Sequence, residues 1–292
     1  MATDYQHFII TLFNLRLYTV DRQGQATQTD AWLSQRFCLF ERYCLPSMAQ
    51  QTNPHFTWLV LLDADTPQPY RQRMEAYRAS VPQLHPLYFT KEAAVQLRSS
   101  DAGERARFLR GAVKELLAED TRHLLTTNLD NDDALHCRMV EIIQQAFERA
   151  RPRRPHLFVC PVGLQFFERG AVLLRMRYPH NHFLTLAEPV VPGEAPLTIK
   201  FYSHTRARKS LPTTDLSANP PLWLEVVHER NVSNALRLSS RIRYTCPLTA
   251  LSLQPFGLPL QLTRAHNLRN ALTRVPALFL GTAWRKMRRV RR

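Results

Sequence analysis

His123-Leu124-Leu125-Thr126-Thr127-Asn128-Leu129-Asp130-Asn131-Asp132-Asp133-Ala134-Leu135 is the stretch on which the reading of this chain turns. An apolar, β-branched run climbs into three carboxylates packed within four residues, and a helical pattern over 134–150 follows at once. Like charges this close repel, so something must tolerate them. A hard divalent cation does so, because Mg²⁺ binds through one or two carboxylates and completes its shell with water and phosphate oxygens. The end of a strand also suits a ligand site, since open α/β sheets bind outside the carboxyl ends of their strands. The competing reading is an acidic turn capping the next helix, where Asp is favoured by hydrogen bonding and by the helix dipole. The stretch by itself leaves both open.

Working outward, His7 to Phe13 reads as a buried opening strand, followed by a polar loop from Asn14 to Thr29. Trp32, Phe37, Phe40, Cys44 and Met48 recur at three-to-four spacing, which predicts a helix over 30–50 with Asp30 as N-cap. Phe56 to Leu62 is a second buried strand, ending at Asp63-Ala64-Asp65-Thr66-Pro67. Helices near 68–79 and 103–119, with a short strand at 87–89, lead to the strand at 123–129. Strand and helix alternate, so the pattern predicts an α/β fold with a mostly parallel, doubly wound sheet flanked by helices. Beyond the basic linker Arg151-Pro152-Arg153-Arg154-Pro155, single strands are expected at 157–165 and 171–177. The stretch 178–222, rich in Pro, His and polar residues, reads as loops on a rigid scaffold.

Charge divides the chain unevenly. Of 39 basic residues, 26 accompany all 24 acids in the first 229 residues; residues 230–292 hold the other 13 and no acid. A nearly neutral body therefore carries a strongly basic C-terminal part, and we expect a domain over 1–245 with a basic helical extension over 246–292. Such an extension seeks polyanions, either anionic lipid or nucleic acid. Val275 to Trp284 is too short to span a bilayer and runs into Arg285-Lys286-Met287-Arg288-Arg289-Val290-Arg291-Arg292. The pairing suits an interfacial anchor over 275–292 on an anionic membrane, or a packed helix with a solvated basic end. The five cysteines form no Cys-x-x-Cys pair, which argues against zinc and disulfides and for a reducing, cytoplasmic setting. A nucleic-acid-binding protein is the alternative raised by the basic tail. The near-neutral body, with no recognisable DNA- or RNA-binding signature, argues against it.

Tyr43-Cys44-Leu45-Pro46-Ser47-Met48-Ala49-Gln50-Gln51, the strand that follows it, and Asp63-Ala64-Asp65-Thr66 resemble the helix–turn–strand–acid segment of GT-A glycosyltransferases. Leu129 to Leu135 resembles their Asp-x-Asp metal motif, in the right order downstream. Asn181 to Glu188 and Trp223 to Asn234, with its His228-x-x-Asn231-x-x-Asn234 run, narrow the match to a family of bacterial rhamnosyltransferases. The resemblance covers residues from about 7 to 240. It implies a metal-dependent enzyme that moves a sugar, rhamnose or another deoxyhexose, from a nucleotide-sugar donor to a glycan or lipid-linked acceptor hydroxyl. It also implies Mn²⁺ or Mg²⁺ as cofactor, cell-surface polysaccharide synthesis as the setting, and a cytoplasmic protein at the inner face of the membrane.

By the resemblance, Asp132 contacts the metal and Asp130 the metal or the donor ribose, while Asp133 is left to cap the helix starting at Ala134. Asp63 stands where similar enzymes hold the nucleobase edge, or is an ordinary turn residue. Asn14 and Arg16 face the same crevice, with Arg16 suited to donor phosphate or to solvent. His228 ends an apolar run where such enzymes return a metal or phosphate ligand; otherwise it is a hydrogen-bonded strand-end histidine. Asn231 and Asn234 bind phosphate or sugar hydroxyls, or cap a helix near Ser233. An inverting transferase needs a general base, and among Glu168, Glu188, Asp215, Glu225 and Glu229 the first choice is Glu188, at the edge of a Pro-rich loop. The chain lacks the Glu-Asp pair expected after the metal motif, so the sequence does not assign inversion or retention.

Overall fold

The computed structural model describes residues 4–20, 25–99, 101, 104–168, 171–216, 220–228, 242–245, 251–263 and 265–274. The first half runs β1 (Tyr5–Leu12), α1 (Asp30–Leu39), α2 (Leu45–Ala49), β2 (Thr57–Asp63), α3 (Gln68–Ala76), β3 (Leu84–Phe89), α4 (Lys91–Val95), α5 (Arg107–Glu115), β4 (His123–Asn128), β5 (Ala134–Leu135) and α6 (Met139–Ala150). The second half adds β6 (His156–Val159), β7 (Val162–Phe167), β8 (Val172–Arg177), β9 (Leu184–Pro189), α7 (His204–Ser210), β10 (Thr213–Asp215), β11 (Trp223–Val227), β12 (Arg243–Thr245), β13 (Leu251–Ser252) and β14 (Gln261–Leu262). A helical stretch follows at 265–274.

A seven-stranded sheet in the order β10-β6-β9-β4-β1-β2-β3 forms the centre. Its strands are parallel apart from β9, which runs antiparallel to both β4 and β6. The mostly parallel α/β sheet is thus present with one reversed strand inside it. Side chains alternate through the sheet. Ile9, Trp58, Val60, Leu62 and Leu125 face a core closed by α1, α2 and α6. Phe8, Ile10, Leu59, Leu61 and Leu124 face a second core under α5 and residues 199–207. Both faces being covered is why these strands read as continuous apolar runs.

Several local expectations change. Thr29, not Asp30, caps α1, its side chain accepting the Trp32 N–H. The helix over 30–50 passes through a π-helical segment at Phe40–Cys44, where the Leu45 N–H reaches back to the Phe40 carbonyl. The wider turn comes directly before Pro46, which has no N–H to offer the ordinary ladder. The helix near 103–119 is confined to α5. Residues 157–165 split at Cys160-Pro161 into β6 and β7, which lie in different sheets. The stretch 178–222 contains β9, α7 and β10 as well as loops.

The largest change follows the acidic turn. Ala134 and Leu135 form β5, pairing with Leu224 and Trp223 of β11, and α6 starts only at Met139. Asp133 therefore caps no helix. β5 joins a second, five-stranded sheet ordered β12-β8-β7-β11-β5. Leu253, Phe256 and Leu258 join the core of that sheet, beside Leu39, Tyr43 and Leu164. At 265–274, Asn267 accepts the Leu173 N–H (2.9 Å) and donates to the Leu173 carbonyl (3.0 Å), on the part of β8 that β12, paired with Arg175, Met176 and Arg177, does not cover. The 275–292 anchor lies outside the described residues, among which no helix is long and apolar enough to cross a membrane.

His7 lies inside the first core. Gln144 donates to its Nδ1 (3.3 Å), which leaves Nε2 to donate to Thr127 Oγ1 (2.8 Å), itself 2.6 Å from Thr185 Oγ1. Burial pushes this imidazole from 6.5 down to about 3. The unfolded chain therefore takes up a proton below 6.5 that the fold refuses, so the stability is present above that value and lost as pH falls toward 3. We expect a loss of about 1.4 kcal/mol per pH unit from this group. Urea unfolding at several pH values checks it, with a shallower slope in His7→Gln. Gly163 supplies a packing test: a Cβ there would lie 2.0 Å from the Trp223 ring. Gly163→Ala should cost about 1–3 kcal/mol by overpacking, read as a lower urea midpoint.

Candidate active site

Because β4, β1 and β2 are parallel neighbours, their carboxyl ends open side by side. The polar residues that end each strand meet there. Asn14, just past β1, accepts the Asp63 N–H (3.1 Å) and donates to Thr66 Oγ1 (3.0 Å). Arg16 donates to Asp63 (2.6 Å) and Asp65 (2.7 Å). The structure thus brings together Asn14, Arg16 and Asp63, as expected. In this structure the Arg16 guanidinium is paired with both carboxylates.

The acidic turn beyond β4 is pinned from β1 and α1. Asn131 donates to the Phe13 carbonyl (2.8 Å) and accepts from Arg36 (3.0 Å). Arg36, in α1, also meets Asp132 Oδ2 at 2.9 Å in a buried ion pair. His228, just past β11, reaches the same oxygen at 2.9 Å. Burial alone would raise the Asp132 carboxyl, but Arg36 and then His228 hold it well below the usual carboxylate range. Asp132 and His228 are therefore brought together, with Arg36 and His228 meeting one oxygen of Asp132.

Asp133 is fully buried. One oxygen accepts the Val226 N–H (2.8 Å) and the other meets His182 Nε2 (2.9 Å). His182 also approaches Asp130 Oδ2 at 3.7 Å. Burial opposes charge on this imidazole, yet Asp130 and Asp133 lift it to about 9. Among the described residues, Asp130, Asp133 and His182 form a group with metal-ligand spacing, their donor atoms all within 4.8 Å. Two carboxylates and an imidazole fit a divalent ion, and the nitrogen favours Mn²⁺ over Mg²⁺. The ligand set expected from sequence (Asp130, Asp132, His228) shares only Asp130 with this group.

On the other side of β4, Asn128 donates to the His182 carbonyl (3.0 Å) and receives the Lys200 ammonium. Burial draws Lys200 down to about 8, against the pull of Asp130.

Glu188, the expected general base, is placed elsewhere. It pairs with Leu124 near the start of β4, at the end of the sheet away from the acidic turn. Its carboxylate accepts the N–H groups of Leu197 (2.8 Å) and Thr198 (2.9 Å), so it fastens a loop. Glu168 is held by Arg42 and Tyr43, Asp215 by Arg208, and Glu225 is buried against Gln165. Glu229, Asn231 and Asn234 lie outside the described residues.

Sequence reasoning missed Arg36, Asp133, His182 and Lys200 as site members. His182 carried a signal, since it lies in the Asn181 to Glu188 segment that supports the resemblance. Arg36 reads as one more polar position on a helix, and Lys200 as one more loop cation.

The α/β sheet, with one reversed strand, opens on an Asp-x-Asp turn and the histidines that meet it. The chain belongs to the family described as "Putative rhamnosyl transferase", whose pattern matches residues 9–240. Solved structures are similar to the chain at low identity. The S. aureus TarS 1-349 structure has 12% identity and a TM-score of 0.40, over 76% of this chain and 60% of that one. Its complex with UDP-GlcNAc gives 14% and 0.40 over 78% and 60%. A "putative nucleotide-diphospho-sugar transferase" from Desulfovibrio desulfuricans G20 gives 10% and 0.34, over 79% and 84%. The chain thus spans about 60% of the length of the TarS structures. No curated protein matches.

Arg36→Met would leave Asp132 buried without its counter-charge. It should destabilise the protein by about 3–5 kcal/mol at neutral pH, measured by urea unfolding. Because Arg36 holds Asp132 ionised, the deficit should shrink as pH falls and the carboxylate of the variant takes up a proton.

Proposed function

We propose that this protein transfers a sugar from a nucleotide-sugar donor to an acceptor hydroxyl, with a divalent cation held by Asp130, Asp133 and His182. The observation that carries the reading is that this ligand-spaced group lies beyond the end of β4, one strand from Asn14 and two from its partner Asp63. From β2 to β4 is two strand spacings, about 10 Å, a span that suits the nucleoside and diphosphate of one donor. Asp63 is the partner for the nucleobase edge and Asp130 for the metal-bound diphosphate. When bound, the cation offsets the charge that builds on the departing phosphate oxygens.

The chain's own residues do the rest. Arg36 and His228 orient Asp132 and with it the turn. Asp133 is itself fixed by the Val226 N–H on its other oxygen, the arrangement of a ligand supported by its surroundings. The family description supports rhamnose or another deoxyhexose as the donor sugar, and a glycan or lipid-linked glycan is the acceptor of this reading. A cytoplasmic protein resting on the inner membrane face through 275–292 fits such an acceptor.

The test is thermal unfolding with Mn²⁺ and a panel of sugar nucleotides, since a ligand that binds only the native state raises its melting temperature. We expect Mn²⁺ to enhance the shift given by one sugar nucleotide. Asp130→Ala and Asp133→Ala should lose that enhancement and the transfer activity. Undiminished transfer in excess chelator would sink the metal-dependent reading.

A further inference from the structure

We propose that Lys200 binds the β-phosphate of the donor, from the β9 side of the acidic turn. The proposal rests on the donor-binding reading above and names the residue that reading lacks, a cation for the leaving diphosphate.

The other cations of the site are already matched. Arg16 meets Asp63 and Asp65, Arg36 meets Asp132, and His182 meets Asp133. Lys200 differs: its hydrogen bond goes to the neutral side-chain oxygen of Asn128. Asp130 attracts it, but no carboxylate of the described residues is in ion-pair contact with it. A half-buried ammonium with only an amide for company is costly. Its counter-charge at this edge is an anion that arrives with the ligand, and a compact ammonium suits phosphate oxygens.

The chain also invests in holding Lys200 there. Glu188 gathers the N–H groups of Leu197 and Thr198, and the Ile199 N–H is bonded to Thr126 Oγ1 (2.8 Å). Thr198 sits at φ 62°, a conformation that costs a β-branched residue. Its hydroxyl oxygen is buried without a hydrogen-bond partner among the described residues. A strained turn fastened by a buried carboxylate is what delivers Lys200 to the strand ends. Glu188 is thus a positioning residue.

The order along the sheet edge assigns the phosphate. With the nucleoside at Asp63 on β2, the donor runs past β1 and β4 toward β9, so the β-phosphate lies nearest Lys200 and the α-phosphate farther away.

Isothermal titration of the full chain with Mn²⁺ and paired nucleotides (UDP and UMP, GDP and GMP, dTDP and dTMP) tests this. Lys200→Met should weaken the preferred diphosphate by roughly 10- to 100-fold and leave its monophosphate unchanged, with Lys200→Arg recovering part of the loss. The melting temperature of the ligand-free Lys200→Met protein should hold or rise, because an unmatched buried charge is removed. Equal losses for diphosphate and monophosphate, no loss for either, or a lower ligand-free melting temperature would each overturn the proposal. A wild-type chain that binds none of these nucleotides overturns the transferase reading as well. Binding by the wild type that survives in Lys200→Met overturns only the role of Lys200.

Discussion

The ion pair between Arg36 and Asp132 is the contact on which the site depends. Three carboxylates within four residues would repel one another and unfold the turn that bears them. Arg36 prevents this from inside: it reaches from α1 to Asp132 and, through Asn131, to the end of β1. The π-helical turn and Pro46 that follow α1 keep this helix packed against the strands, with Phe40 stacked on Trp58 at 5.2 Å. The core and the catalytic edge are thus coupled through one buried guanidinium.

With Asp132 committed inward, Asp130 and Asp133 are left for His182. A divalent cation and a proton both satisfy this group, because each offsets the same two carboxylates. Glu188, by contrast, fastens the loop before Lys200.

Much of the fold was legible because both faces of the central sheet are covered. Apolar runs such as Phe56 to Leu62 then announce strands, and the helices between them announce parallel order. The reversal of β9 was not legible, since a short apolar segment in a Pro-rich stretch does not declare its direction. Nor was the start of α6. Ala134 and Leu135 continue a helical pattern outward from α6, but pairing with β11 outweighs that weak local preference.

The sequence by itself determined that acids end the strands β2 and β4, because strand pattern and carboxylate position are both local. Only the tertiary structure decided what each acid does. Asp132 turns to Arg36 and His228, Asp133 to His182 and Val226, and Glu188 to the loop that carries Lys200. These partners lie between 9 and 96 residues away in the chain. A carboxylate's role is set by the donors that reach it, and that proximity is created by packing, which no local spacing encodes.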